Sequence, residues 1–252
     1  MLLPAWRCTG HRNQSTIRAI NGTVSRMKEA LVVFAKAPII GQVKTRLIGA
    51  LTPEEATEIY VCFLQDTFAM METVQEEREQ LSLVLCYTPA DEIEAFEAAD
   101  VEGCLMLAQR GQELGERLHN CLADLFDAGF RSIVILGADC PTLPDEIVIE
   151  AFEQLTKQPS IVIGPSVDGG YYLIGLNHLY PELFARIDWS SEMVLSQTEA
   201  RAAELNLSIS RLPEWNDVDT PSDLENLKQL IVSGAVTPPK TSKYLKKSLA
   251  KR

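Results

Sequence analysis

Ile133-Val134-Ile135-Leu136-Gly137-Ala138-Asp139-Cys140-Pro141-Thr142-Leu143-Pro144 decides how this chain is read. Four apolar residues, mostly β-branched, predict a strand buried on both faces. Gly-Ala, a carboxylate and two prolines follow, and proline can neither donate to a ladder nor continue it. Asp139 is therefore left at the carboxyl end of a central strand, the edge at which open α/β sheets bind ligands. A carboxylate there is costly unless it is paired, hydrogen-bonded or metal-bound. A capping or turn-forming role and a metal-ligand role both fit; with a diphosphate nearby, hard oxygen donors suit Mg²⁺ or Mn²⁺ better than zinc.

Working outward, strands and helices alternate. Leu31–Ala35 reads as a first buried strand. Thr52-Pro53-Glu54-Glu55 is a capping-box signature opening a long helix, with Ile59, Tyr60, Phe63 and Met70 at helical spacing. Strands are predicted at Leu81–Tyr87, Cys104–Ala108 and Ser132–Leu136. Helices are predicted at Pro89–Ala99, Glu113–Ala128 (Leu114 among its inward residues) and from Pro144 to Lys157. This order predicts a mainly parallel sheet with right-handed crossovers. Ile161–Gly164 and Tyr171–Leu176, joined by a tight turn, predict an antiparallel pair that makes the sheet mixed. A helix over about Ser191–Leu205, a strand Leu207–Leu212 and a helix Pro221–Gly234 complete one α/β domain over residues 30–234.

The two ends are set apart by charge. Taking the +6 of residues 235–252 and the +4 of residues 1–29 from the net −12 leaves −22 on residues 30–234. So acidic a body repels polyanions and argues against a nucleic-acid groove. Residues 1–29 are Arg-rich without the apolar stretch of a secretory signal. They read as a disordered extension, either a transit peptide or the product of an upstream start codon with Met27 as the true start. Residues 235–252 read as a basic mobile tail. No apolar run is long enough for a transmembrane helix. The six cysteines (Cys8, Cys62, Cys86, Cys104, Cys121, Cys140) show no CxxC pair, which points to reduced thiols, a cytoplasmic protein and no structural zinc.

Chemistry gathers in a few loops. Lys36, Lys44 and Arg46 place three cations after the first strand; they suit phosphate, and equally suit a solvated loop. The spacing is neither a Walker A loop nor GxGxxG. In Asp168-Gly169-Gly170-Tyr171 the two glycines are free to take positive φ, which fits either a plain hairpin or backbone N–H groups approaching a ligand beside Asp168. Asp217 and Asp219 precede a helix N-terminus, as capping charges or with Asp219 as a second metal ligand. Arg110 is a further anion candidate, with Glu113 and Glu116 as alternative partners. No histidine stands beside a nucleophile and no GxSxG elbow occurs, so a hydrolase triad is not expected.

FAKAPxxGxVKTRL at Phe34–Leu47, GADCPTLP at Gly137–Pro144, GPSxDGGYYLIGL at Gly164–Leu176 and DVDTPSDL at Asp217–Leu224 occur in that order. Together with QRGxxLGERL (Gln109–Leu118) and WSSxxVL (Trp189–Leu195), they resemble the selenodomain-associated transferase family. These are glycosyltransferase-like proteins of the GT-A nucleotide-diphospho-sugar transferase superfamily, and the resemblance spans about residues 30–231. It implies a three-layer α/β/α GT-A fold with a mixed, mainly parallel sheet. It also implies nucleotide-phosphate binding by the first loop (Lys36, Ala37, Pro38, Gly41, Lys44, Arg46) with Arg110, and Mg²⁺ or Mn²⁺ on Asp139. A second metal carboxylate at Asp219 is implied by similarity to molybdenum-cofactor guanylyltransferases. The expected activity is metal-dependent glycosyl transfer from a nucleotide sugar to a small-molecule acceptor. Asp168 is then the catalytic base, and Gly169, Gly170 and Tyr171 face substrate. Nucleotidyl transfer from an NTP to a phosphorylated small molecule, and a non-catalytic nucleotide-binding module, are the alternatives.

Overall fold

A computed structural model describes residues 28–101, 103–157 and 161–249. Residues 1–27, and with them most of the predicted N-terminal extension, lie outside the described residues. Lys28 and Glu29 already belong to the first strand, which starts three residues earlier than expected.

Seven strands form one sheet in the order β3-β2-β1-β4-β6-β5-β7. They are β1 (Lys28–Lys36), β2 (Leu81–Thr88), β3 (Leu105–Ala108), β4 (Phe130–Gly137), β5 (Ile161–Pro165), β6 (Tyr171–Leu176) and β7 (Ile209–Arg211). β6 runs antiparallel to both neighbours and every other pairing is parallel. The predicted strand before Asp139 is β4, fourth of the seven. Its Ile133–Leu136 stretch is apolar because helices cover both sides of it.

One face of the sheet packs α1 (Pro53–Glu77) and α3 (Asp145–Lys157), with Leu64, Met71, Phe152 and Leu155 meeting Leu31, Val33, Leu85 and Val134. The other face packs α2 (Leu114–Asp127) and α4 (Val194–Glu204), with Leu118, Leu122 and Ala202 meeting Ala30, Val32, Ile133 and Ile174. Alternation along each strand sorts its residues between the two cores. Thr52 caps α1 with the predicted reciprocal box, Thr52 Oγ1 accepting from Glu55 N and Glu55 Oε2 from Thr52 N. Leu114 opens α2 but is 44% exposed, against the expectation that it faces inward; the buried face of the helix starts with Gly115 and Leu118.

The C-terminal end corrects the sequence reading. Residues 239–249 are not a mobile tail but a helix, α6 (Pro239–Leu249). Its first turn is capped by Asp66 of α1, whose Oδ1 and Oδ2 accept the N–H groups of Lys240 and Thr241, each at 2.8 Å. Leu245 is buried with Ile59 and Phe63 of α1 and with Leu224 and Leu227 of α5 (Pro221–Ser233). The lysines occupy the outer face, so the sequence shows charge where the structure has a docked amphipathic helix.

Candidate active site

The register between strands brings four loops to one sheet edge. β1 and β4 end together, with Phe34 opposite Gly137, and Pro165 at the end of β5 stands opposite Tyr171 at the start of β6. The loops after β1, β4, β5 and β7 therefore open on the same side. Backbone bonds tie them. Leu212 N donates to Ile163 O at 2.8 Å and Trp215 N to Pro165 O at 3.0 Å, so the chain beyond β7 follows the end of β5. Trp215 Nε1 donates to Thr142 Oγ1 at 3.2 Å, and Val218 N donates to Asp139 O at 2.9 Å.

Asp139 and Asp219 thus converge, as expected, but on a protein cation. Lys44 Nζ lies 2.5 Å from Asp139 Oδ1 and 2.7 Å from Asp219 Oδ1, and donates to Val218 O at 2.8 Å. An ammonium has three N–H groups, and these contacts use all three. The Lys44 side chain is 4% exposed, while those of Asp139 and Asp219 are 42% and 34% exposed. The ammonium also lies 5.6 Å from the centre of the Phe63 ring. Burial lowers its pKa, but the charges of Asp139 and Asp219 overcome that and hold the pKa above the usual lysine value. Lys44 reaches this place from a left-handed backbone, φ 46, a conformation that non-glycine residues adopt at a cost and that clusters at functional sites.

Asp219 is free to face Lys44 because it does not cap the following helix. Thr220 caps α5, accepting from Asp223 N at 3.3 Å, while Asp223 Oδ2 accepts the N–H groups of Thr220 at 2.7 Å and Asp219 at 3.2 Å. Arg46, 70% exposed, places Nη1 3.8 Å from Asp219 Oδ2. Lys36 is exposed at the end of β1, its backbone N–H and C=O both bonded to the Tyr60 hydroxyl at 3.1 and 3.0 Å. Burial, then the nearby Asp139 charge, raises the pKa of Tyr60, so the hydroxyl stays protonated as a brace. Asp217 is half-buried; burial, then Asp168 and Asp219, push its carboxyl up to about 6. Cys140 is buried beside Asp139, and burial followed by that charge holds its thiol well above the usual range, which suits packing rather than nucleophilic attack.

The Asp168 turn lies on the same edge. Asp168 Oδ1 accepts from Ser166 Oγ and, at 3.0 Å, from Gly170 N. Gly169 has φ 89, and a Cβ there would overlap the backbone carbonyl of Glu192. Its carbonyl accepts from Leu195 N at 2.9 Å. Gly169 is accordingly required by the approach of the 192–195 backbone, and Gly170 sits close against Asp168 and Ser166 within the turn.

Three other expected site residues are engaged elsewhere. The Arg110 guanidinium takes both oxygens of Asp124, at 2.6 and 2.7 Å, instead of standing free for phosphate. Tyr171 packs into the core beneath α4 and its hydroxyl is buried, so it does not face a ligand. Ala37 is 2% exposed and its N–H donates to Thr88 O at 2.8 Å. Pro38 has no N–H, and Gly41 is exposed with φ 76. Tyr60, Phe63, Ser166 and Trp215 were missing from the expected site; the first two look like ordinary core positions of an amphipathic helix, and nothing in their spacing marks them.

The donor set can be tested against the expected divalent ion. Two hard carboxylates suit Mg²⁺ or Mn²⁺ in chemistry. In space they do not offer an open cage: Lys44 Nζ holds one oxygen of each, and among the described residues no group of three or more His, Cys, Asp and Glu is arranged to hold a metal.

Comparison with known proteins bears on family and fold. A candidate nucleotide-diphospho-sugar transferase of Desulfovibrio desulfuricans G20 is 33% identical, with a TM-score of 0.81, over 89% of this chain and 96% of that one. The chain belongs to the nucleotide-diphospho-sugar transferase family. Its class is that of a transferase and its fold the mixed, mainly parallel α/β sheet that the motifs imply. A family described as an uncharacterized protein conserved in bacteria, DUF2064, matches residues 70–191. A CMP:2-keto-3-deoxy-manno-octonic acid synthetase in complex with CTP shares the fold at 12% identity and a TM-score of 0.53, over 82% of this chain and 99% of that one. Rv0371c of Mycobacterium tuberculosis H37Rv in complex with manganese does so at 17% identity and a TM-score of 0.50, over 81% and 98%. No curated protein matches. Among the described residues, no helix is long and apolar enough to cross a membrane.

Proposed function

We propose that this transferase moves a glycosyl group from a nucleotide-diphospho-sugar to a hydroxyl of a small-molecule acceptor. One observation carries the reading: the basic loop after β1 meets Asp139 and Asp219 at a single sheet edge, with Lys44 bonded to both acids. Lys36 and Arg46, both exposed, are the cations that remain for the donor's phosphates. Gly41 lets the loop backbone come close to them. Asp168, exposed, with one carboxylate oxygen held by Ser166 and Gly170, faces the acceptor and takes the proton of its hydroxyl. The acceptor oxygen then bonds to the anomeric carbon as the bond to the diphosphate breaks, and a nucleoside diphosphate leaves.

Mg²⁺ or Mn²⁺, bound through the donor's phosphates together with a carboxylate, would offset the charge developing on that leaving group. This matches the way magnesium is usually held, by one or two carboxylates plus substrate phosphates rather than an all-protein cage. The test is calorimetry of the protein with UDP-, GDP-, ADP-, CDP- and TDP-sugars and with NTPs, each with Mg²⁺, Mn²⁺ or EDTA. A sugar nucleotide that binds in the presence of metal, and loses at least tenfold in affinity with Asp139→Asn, supports the donor site. Binding of sugar nucleotides that is indifferent to Asp139→Asn removes it.

A further inference from the structure

The place between Asp139 and Asp219 is already held by a cation. A divalent ion sharing their two Oδ1 atoms would stand about 2.0–2.6 Å from each, and Lys44 Nζ occupies that volume at 2.5 and 2.7 Å. The lysine is fixed there from every side. Its third N–H is bonded to Val218 O, itself locked by the bond from Val218 N to Asp139 O. The Phe63 ring closes the space beside it, and its side chain is 4% exposed. The carboxylates face solvent and the ammonium lies beneath them.

We propose that Lys44 is the resident counter-ion of this centre. It holds the two carboxylates in the nucleotide-free protein and closes the pair to free divalent cations. A cation arriving on a diphosphate must then displace the ammonium from at least one of the carboxylates. Lys44 is in this sense a positioning residue that acts through Asp139 and Asp219, and not one of the groups that first meet phosphate. Its meaning for catalysis rests on the donor reading above; its effect on metal binding does not.

The test is a titration of nucleotide-free protein with Mn²⁺, read by the electron paramagnetic resonance signal of unbound manganese and by the shift in melting temperature. Wild type should show no saturable site in the micromolar range and no shift. Lys44→Met, with the carboxylates uncompensated, should gain one saturable site at least tenfold tighter than any in wild type, and a melting temperature that rises with Mn²⁺. Asp139→Asn in the same background should abolish the gain. Lys44→Gln carries the same readout should Lys44→Met fail to fold. A wild-type protein that binds one Mn²⁺ as tightly as the Lys44 variants overturns the proposal, as does a folded variant that gains no site. No nucleotide is present in this titration, so either result leaves the donor reading standing. That reading is tested separately, by the sugar-nucleotide calorimetry above.

Discussion

Val218 N–H donates to the carbonyl oxygen of Asp139 at 2.9 Å, joining the end of the central strand to the loop that enters α5. The two acids on either side of this bond are thus brought together by the backbone. Asp139→Asn and Asp219→Asn are expected to keep the fold, since both side chains are about one-third or more exposed. Each variant should lose at least about 100-fold in turnover, the scale seen when a preorganised electrostatic group is removed. Circular dichroism melts together with steady-state rates on the same preparations would show this.

Arg46 separates binding from stability. It is 70% exposed and makes one long contact, to Asp219 at 3.8 Å. Arg46→Ala is predicted to change stability by less than about 0.5 kcal/mol. It should weaken nucleotide-diphosphate binding by about 1.5–3 kcal/mol, the range for a charge-assisted hydrogen bond. Urea unfolding and calorimetry measure the two quantities independently.

Gly169 and Gly170 are expected to differ although they are neighbours. Gly169→Ala forces a side chain onto the Glu192 backbone at φ 89 and should cost about 2–3 kcal/mol, with Asp168 displaced and activity lost. At Gly170 an added Cβ would lie 3.2 Å from Asp168 Oδ1 and from Ser166 Oγ, and its φ carries no left-handed strain. Gly170→Ala should therefore cost about 1 kcal/mol or less in stability while still impairing the Asp168 turn. Denaturant midpoints and rates of the two variants provide the comparison.

Asp66 anchors the last helix. It is 5% exposed and accepts two backbone N–H groups of α6. Asp66→Ala is expected to lower stability by about 1–2 kcal/mol, the value of a good N-cap. Hydrogen exchange should quicken over 239–249 before the rest of the chain. Exchange that rises uniformly would instead make α6 part of the global unfolding unit.

The sheet edge was legible because each of its loops announces itself. β4 stops at Gly137 and two prolines, the β5–β6 turn carries two glycines, and α5 opens with Thr-Pro-Ser-Asp. What was not legible is depth. Lys36, Lys44 and Arg46 look alike in sequence, yet Lys44 is buried by partners about 95 and 175 positions away, while Lys36 and Arg46 stay in solvent. Arg110 finds Asp124, fourteen positions on, rather than the nearer Glu113 or Glu116, because α2 folds back past the Arg110 turn. In α6 the apolar contribution is thin, with Leu245 flanked by lysines, so charge concealed the contact with α1. Periodicity identifies which face of an element turns inward; it does not say which loop side chain a distant helix will cover.

The product of turnover separates glycosyl from nucleotidyl transfer. The protein, supplied with the sugar nucleotide that binds best, Mg²⁺ or Mn²⁺ and a panel of small hydroxylated acceptors, should release the nucleoside diphosphate, seen by phosphorus NMR, with Asp139→Asn silent. Pyrophosphate released from an NTP, with every sugar nucleotide left intact, would contradict glycosyl transfer at this centre.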